Sequence, residues 1–452
     1  MKGIHSSLMT AGALAALALA LAAGAVRAAE EEPNEALIEM IAALVADADR
    51  DMRALGLQQV REEVPGEAAT KKFAELLPGL PTDGQAGLLE ALGDRQDPAA
   101  LPAVLEALKS DHDAVRAAAI TALGPLGGKD QASLLAEKTA AGSQAEKDAA
   151  RQSLIRLRGE GVNEAVEAAL AGASGEVRVA LLGVLAARNA RQSLPAVLAG
   201  ATDADSAVRQ AALRAVRYLA DENDAGAVVG LLKGASDDTE RRSALLALLT
   251  IASRGREACA EPVIAGLADA DAATKAALLS VLARAGGQKA LDGVAAGLED
   301  GDETVRDQAV RVLSTWPTEA ALPHLTKLAE SETLRHKVLA IRGLIRLASP
   351  QEDKPADLQA LAEVMKLADR ADEKRQVLGV LGAVPTAESL ALAASVLDDN
   401  ELVEEAGLAV VLIAEKMPED GRDAAKQALQ KMLRYSADDS IRQRAEKLLG
   451  TP

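Results

Sequence analysis

Aromatic side chains are almost missing from the 452 residues: there is one Phe, one Trp and two Tyr, at Phe73, Trp316, Tyr218 and Tyr435. Recognition of unstacked bases or of sugars rests on such rings, so both lose their usual platform. Cysteine is limited to Cys259, which excludes an intramolecular disulfide. Its setting, REACAEPVIAGL, reads as a small core residue of a helix rather than a reactive thiol. Histidine is scarce as well. His324 and His336 are the one pair a helical hairpin could bring together, with Glu330 and Glu332 between them. Two imidazoles without a third firm ligand make an incomplete zinc set, so these read as surface residues.

Catalytic signatures are missing too. The sequence has no GxSxG, HExxH or paired CxxC, and Gly159-Glu160-Gly161 lacks the preceding strand that a dinucleotide site requires. Asp47, Asp49 and Asp51 open like a calcium loop, yet Met52 stands at the position that needs Gly and Gln58 at the one that needs Glu. Similar Asp pairs recur at Asp111 and Asp113, Asp203 and Asp205, Asp269 and Asp271, and Asp300 and Asp302. A feature repeated at every turn is explained by helix capping rather than by many metal sites. The expectation is a non-enzyme with no catalytic residue, no metal and no cofactor.

Positive charge is in deficit, with 50 Lys and Arg against 68 Asp and Glu and a net charge of −18. Lys2 precedes an uncharged run from Leu8 to Val26, rich in Ala and Leu, and Val26-Arg27-Ala28 follows as a small-residue cleavage site. Residues 1–28 therefore read as a secretory signal peptide, and the mature chain as periplasmic or secreted. A retained anchor is the alternative, since nineteen residues can cross a bilayer core of about 30 Å. Cleavage takes away Lys2 and Arg27 and no acid, moving the net charge to −20. Such a chain repels phosphates and anionic lipid, so the expected partner is a protein with a basic or neutral surface, not nucleic acid or membrane.

What the sequence does contain is a repeat. DAVRAAAITALGPLG from Asp113, EVRVALLGVLAAR from Glu176, SAVRQAALRAVRYLA from Ser206, ETVRDQAVRVLSTW from Glu303 and DSIRQRAEKLLG from Asp439 share one pattern. With the basic position as a ruler, anchors fall at Arg53, Ala86, Arg116, Lys147, Arg178, Arg209, Arg241, Lys275, Arg306, Arg335, Arg375, Glu404 and Arg442. Ala86 and Glu404 lack the basic residue and are placed by period and by the leucines that follow them. A period near thirty residues means stacked helical hairpins, because one hairpin cannot bury its apolar face without neighbours. The predicted fold is all-α, an α-α superhelix of about thirteen hairpins over residues 29–452, with a longer loop at 349–357 marked by SPQEDKPAD.

Each repeat reads as helix A, a turn and helix B. Proline stands near the start of helix A at Pro102, Pro195 and Pro323, where its missing N–H breaks no intrahelical bond. Asp113, Asp205 and Asp302 are placed to cap helix B, and glycines such as Gly127 and Gly286 mark helix ends.

The turn Asp, the Val-Arg pair and the following Ala and Leu resemble the HEAT repeat family, particularly its bacterial subset with the phycobilin lyase type repeats, over roughly residues 33–449. The resemblance implies a ladder of turn acid and Arg between successive hairpins through Asp113, Arg116, Asp205, Arg209, Asp302 and Arg306, interrupted where Glu146-Lys147 and Val403-Glu404 depart from the pattern. It implies mainly protein-binding scaffolds, with helix B lining the binding side. On that side Arg214, Arg217, Tyr218 and Trp316 are the candidate partner-binding residues, being of the types enriched at interface hot spots. Trp316 reads alternatively as a cap over an apolar hairpin end. The leading reading is an exported scaffold for another protein. A self-associating envelope component and a chromophore lyase-like subunit are the alternatives. The polar outer face of the last helix, with Arg442, Arg444, Glu446 and Lys447, favours a monomer.

Overall fold

The computed structural model describes residues 35–450, so the expected signal-peptide segment lies outside the described residues. Those residues form thirteen helix pairs and no strand, with one isolated bridge between Gln351 and Lys354. They divide into two compact blocks, one ending at Leu219 and one starting at Ala220, a boundary absent from the sequence reading. No described helix is long and apolar enough to cross a membrane.

Proline shapes helix A as expected. Leu101–Ala107, Leu194–Gly200 and Leu322–Ala329 carry Pro102, Pro195 and Pro323 in the first turn, each behind a short 3-10 turn. Helix B has a fixed register, set by the amide of its fourth residue, which donates to the carbonyl just before the helix. Arg53 bonds Asp49 in this way at 3.0 Å, Arg209 bonds Asp205 at 3.0 Å and Arg306 bonds Asp302 at 3.2 Å. By the same bond Gln85, Lys337, Lys374 and Ala406 hold that position, correcting the anchors Ala86, Arg335, Arg375 and Glu404. The step after Arg306 becomes 31, so the repeat is more regular than the basic residues alone suggest.

Leucines three, four and seven places after the register position form the core. Leu88, Leu89 and Leu92, then Leu181, Leu182 and Leu185, then Leu278, Leu279 and Leu282 are fully buried. Each contributes about 1.5–3 kcal/mol by leaving water. Adjacent B helices also approach closely at Gly93 and Gly124, where an added Cβ would sit 3.1 Å from the Cα of Ala122 and of Ser153. Cys259 is buried in the short 3-10 turn before the Ala260–Leu267 helix, and burial pushes its thiol pKa up.

Between Lys337 and Lys374 the chain makes an ordered turn. Gln351 and Lys354 exchange backbone hydrogen bonds, the Asp357 amide donates to the Ala348 carbonyl, and Lys354 pairs with Glu319. Asp357 then caps the Leu358–Leu367 helix through the Ala360 amide.

Candidate functional site

The turns divide their two acids between two tasks. Asp205 and Asp302 accept amides at the start of helix B, from Ala207 and Thr304 at 2.8 Å each. In these two pairs the first acid accepts the amide of the second and also a cation from the preceding repeat. Asp203 takes the Asp205 amide and Arg178; Asp300 takes the Asp302 amide at 2.9 Å and Lys275 at 2.8 Å. Lys275 and the Asp302 amide hold the Asp300 carboxyl below the usual carboxylate range. Asp113 departs from the expectation, because His112 occupies the cap position and Asp113 pairs with Arg116 in the first helical turn.

A second set of arginines, unforeseen in the sequence, closes the opposite ends of the B helices. Arg188 donates to the carbonyls of Leu154, Ile155 and Leu157 at 2.8–2.9 Å. Arg95 does the same for Glu63 and Val64 at 2.8 and 2.7 Å, with its guanidinium 5.3 Å from the Phe73 ring centre, and Arg346 caps Trp316. The last carbonyls of a helix have no intrahelical donor, and each arginine supplies one from the next repeat. The sequence signal was an Arg ten places after the register position, at Arg95 and Arg188.

Within the first block, the B helices Gln144–Arg156, Gly175–Ala187 and Ser206–Leu219 present their outward faces side by side. On the middle helix Gly183 and Ala187 are exposed, and small residues with Val179 form a floor. Arg214 and Tyr218 rise along one side of it around a cavity of about 320 Å³. Arg151, Gln152 and Ile155 rise along the other, around about 630 Å³. Both cavities reach Val179 and Gly183, so they form one trough. Arg214, Arg217 and Tyr218 are all exposed, with Tyr218 at 62%.

Trp316 differs. It follows the Glu303–Ser314 helix, is 2% exposed, and so offers a partner no surface. As a correction to the candidate set, its ring packs inside the hairpin end, and its carbonyl is the one that Arg346 caps. The histidines are likewise apart in role: His336 binds Asp307 of the preceding repeat at 2.7 Å, next to Arg335, and this contact lowers the Asp307 pKa. Among the described residues no group of three or more His, Cys, Asp or Glu could hold a metal ion.

The family model for HEAT repeats matches residues 70–155, 162–249 and 260–344, together more than half of the chain. The chain belongs to the HEAT repeat family. Among solved structures, the karyopherin Kap121p bound to the extreme C-terminus of the protein phosphatase Cdc14p is similar at 14% identity and a TM-score of 0.51. The match covers 92% of this chain and 53% of that one. Kap121p bound to Pho4p follows at 15% identity and a TM-score of 0.49, with the same coverage. The chain thus spans about half the length of the karyopherin it matches, and the likeness is one of fold. No curated protein matches.

In this HEAT chain the turn acids Asp203 and Asp300 join the ladder through Arg178 and Lys275 of the preceding repeats. Arg306 bonds the carbonyls of its own turn, at Asp300 and Gly301, and Arg209 has those of Asp203 and Ala204 among its contacts. The atypical repeats do not break the ladder. Arg116 reaches Glu146 at 2.7 Å, Lys147 reaches Glu176 at 3.0 Å, and Glu404 accepts the Ser436 hydroxyl and the Ala437 amide at 2.5 and 2.9 Å. A carboxylate two or three places further along the chain replaces the missing turn acid.

Proposed function

We propose that this HEAT protein is an exported, non-catalytic scaffold that binds another protein across the B-helix face of its first block. The observation that carries this reading is the trough, where Arg214 and Tyr218 stand exposed over a floor of small residues, with Arg217 beside them. Arg and Tyr concentrate binding energy when a partner desolvates them, and stacked repeats supply extended surfaces for such contacts. The acid excess of the whole chain disfavours nucleic acid and favours a partner that is neutral or basic overall. The leader-like pattern of residues 1–28 supports the export part of this reading.

Affinity capture from the native host tests this, with the chain from residue 29 as bait and an Arg214→Ala, Arg217→Ala, Tyr218→Ala variant as control. A partner held by the wild type and lost by the folded triple variant supports both scaffold and site. Equal capture by the two overturns the site.

A further inference from the structure

The first hairpin, residues 35–45 and Arg50–Glu62, has no repeat before it among the described residues. The terminal repeat of a solenoid is expected to turn a polar face outward. The last helix, Asp439–Gly450, does so with Gln443, Glu446 and Lys447 exposed. The first hairpin does the reverse. Of the eight large hydrophobic side chains exposed among the described residues it holds three, Met40 at 51%, Met52 at 40% and Leu55 at 45%.

Helical spacing gathers them on one face. Leu37, Met40 and Leu44 follow one another at three and four residues, and Met52 and Leu55 at three, so each helix carries a stripe. The helices approach closely at Gly56, where an added Cβ would lie 2.7 Å from the Val45 amide nitrogen, and this brings the stripes side by side. The next repeat is met by the other side. Arg53 pairs with Asp83 and Arg61 with Asp94, each at 2.7 Å, and Leu57 stands against Gly87. At about 100° per residue, Met52 and Leu55 point away from that line of contacts. An exposed apolar patch rimmed by polar groups marks an interaction surface.

Charge narrows the occupant. Asp51, Leu55 and Glu62 fall on one line at spacings of four and seven, with both acids exposed. The cations of the hairpin lie elsewhere: Arg53 and Arg61 are held by the next repeat, and Arg50, seven residues before Leu57, shares their side. A second copy docked here would therefore bring carboxylates together. After the expected cleavage, the chain that leads in is AEEEPN, residues 29–34, which adds three acids and no large apolar side chain and is equally unsuited to cover the face.

We propose that this end face docks a helix of a partner protein, its apolar stripe seated on Met40, Leu44, Met52 and Leu55 and its Lys or Arg side chains paired with Asp51 and Glu62. A helix lying in the groove between two neighbours about 8–10 Å apart touches both. Asp51 and Glu62 are eleven residues apart, about 16 Å along the helix, so the partner's cations stand about three turns apart. This surface is separate from the trough and does not depend on it.

Selection from a displayed library of random peptides of about eighteen residues, long enough for five helical turns, tests it. The bait is the chain from residue 29. Counter-baits are Met40→Gln with Leu55→Gln, Asp51→Lys with Glu62→Lys, and the exposed pair Glu137→Lys with Glu160→Lys as a control for general attraction to an acidic protein, each checked for wild-type helix content by circular dichroism. The expected winners carry Lys or Arg about eleven residues apart, bracketing apolar residues at spacings of three and four. They bind the first two variants at least tenfold more weakly and the control as well as wild type. No enrichment, or winners that either end-face variant still binds as wild type does, overturns the proposal. So does a dimer of the bait alone, seen by sedimentation velocity and abolished by Met40→Gln with Leu55→Gln, which would give the face to a second copy.

Discussion

Arg116 Nε donates to Glu146 Oε1 at 2.7 Å, joining B helices one repeat apart, while the Ser143 amide donates to the other carboxylate oxygen at 2.7 Å. Glu146 is buried, and Arg116 above all, with Ser143, lowers its pKa to about 2. Because the folded value lies below the unfolded one of about 4.3, the contribution to stability is present above about pH 4.5 and lost as pH falls toward 2. Glu146→Gln is expected to cost about 2 kcal/mol at pH 7, discounted for the partial exposure of Arg116, and much less near pH 2. Urea denaturation of the two proteins at both pH values measures the difference.

Arg188→Ala leaves the carbonyls of Leu154, Ile155 and Leu157 without their donor. The expected cost is about 2–3 kcal/mol, concentrated locally, since repeats are stabilised by nearest neighbours. Hydrogen exchange should accelerate in the Gln144–Arg156 helix and stay unchanged beyond Ala220.

Glycine substitutions should split by position. Gly183→Ala is expected to raise stability by about 0.5–1 kcal/mol, because it adds helix propensity and meets no atom. Gly124→Ala should destabilise, because its Cβ meets the Cα of Ser153 at 3.1 Å. Thermal melts of the two variants read opposite signs.

Cys259 is 1% exposed with a raised thiol pKa, so native protein should resist thiol reagents. Labelling in urea should follow the opening of its repeat. Rapid labelling of the native chain would contradict the packing described for the Ala260–Leu267 hairpin.

Much of this was legible in the sequence for one physical reason: a repeating hairpin writes its caps, leucines and basic residues at a fixed period. The register slipped at Arg335 and Arg375 because the defining bond joins an amide to a carbonyl while the ruler followed side-chain charge, and at Ala86 and Glu404 because no basic residue stood there to fix it. The arginine caps at Arg95, Arg188 and Arg346 escaped notice because carbonyls carry no side-chain signature. Among the candidate site residues, Arg214, Arg217 and Tyr218 are exposed, whereas Trp316, just past its helix, turns inward. Gly183 was passed over because a glycine within a helix reads as a weak point until its open surroundings are seen.

Hydrogen exchange on a captured complex tests the central claim most directly. The account predicts slowed exchange in the B helices Gly175–Ala187 and Ser206–Leu219 when the partner is bound, with the A helices Val162–Ala171 and Leu194–Gly200 unchanged. Protection confined to those A helices would contradict it.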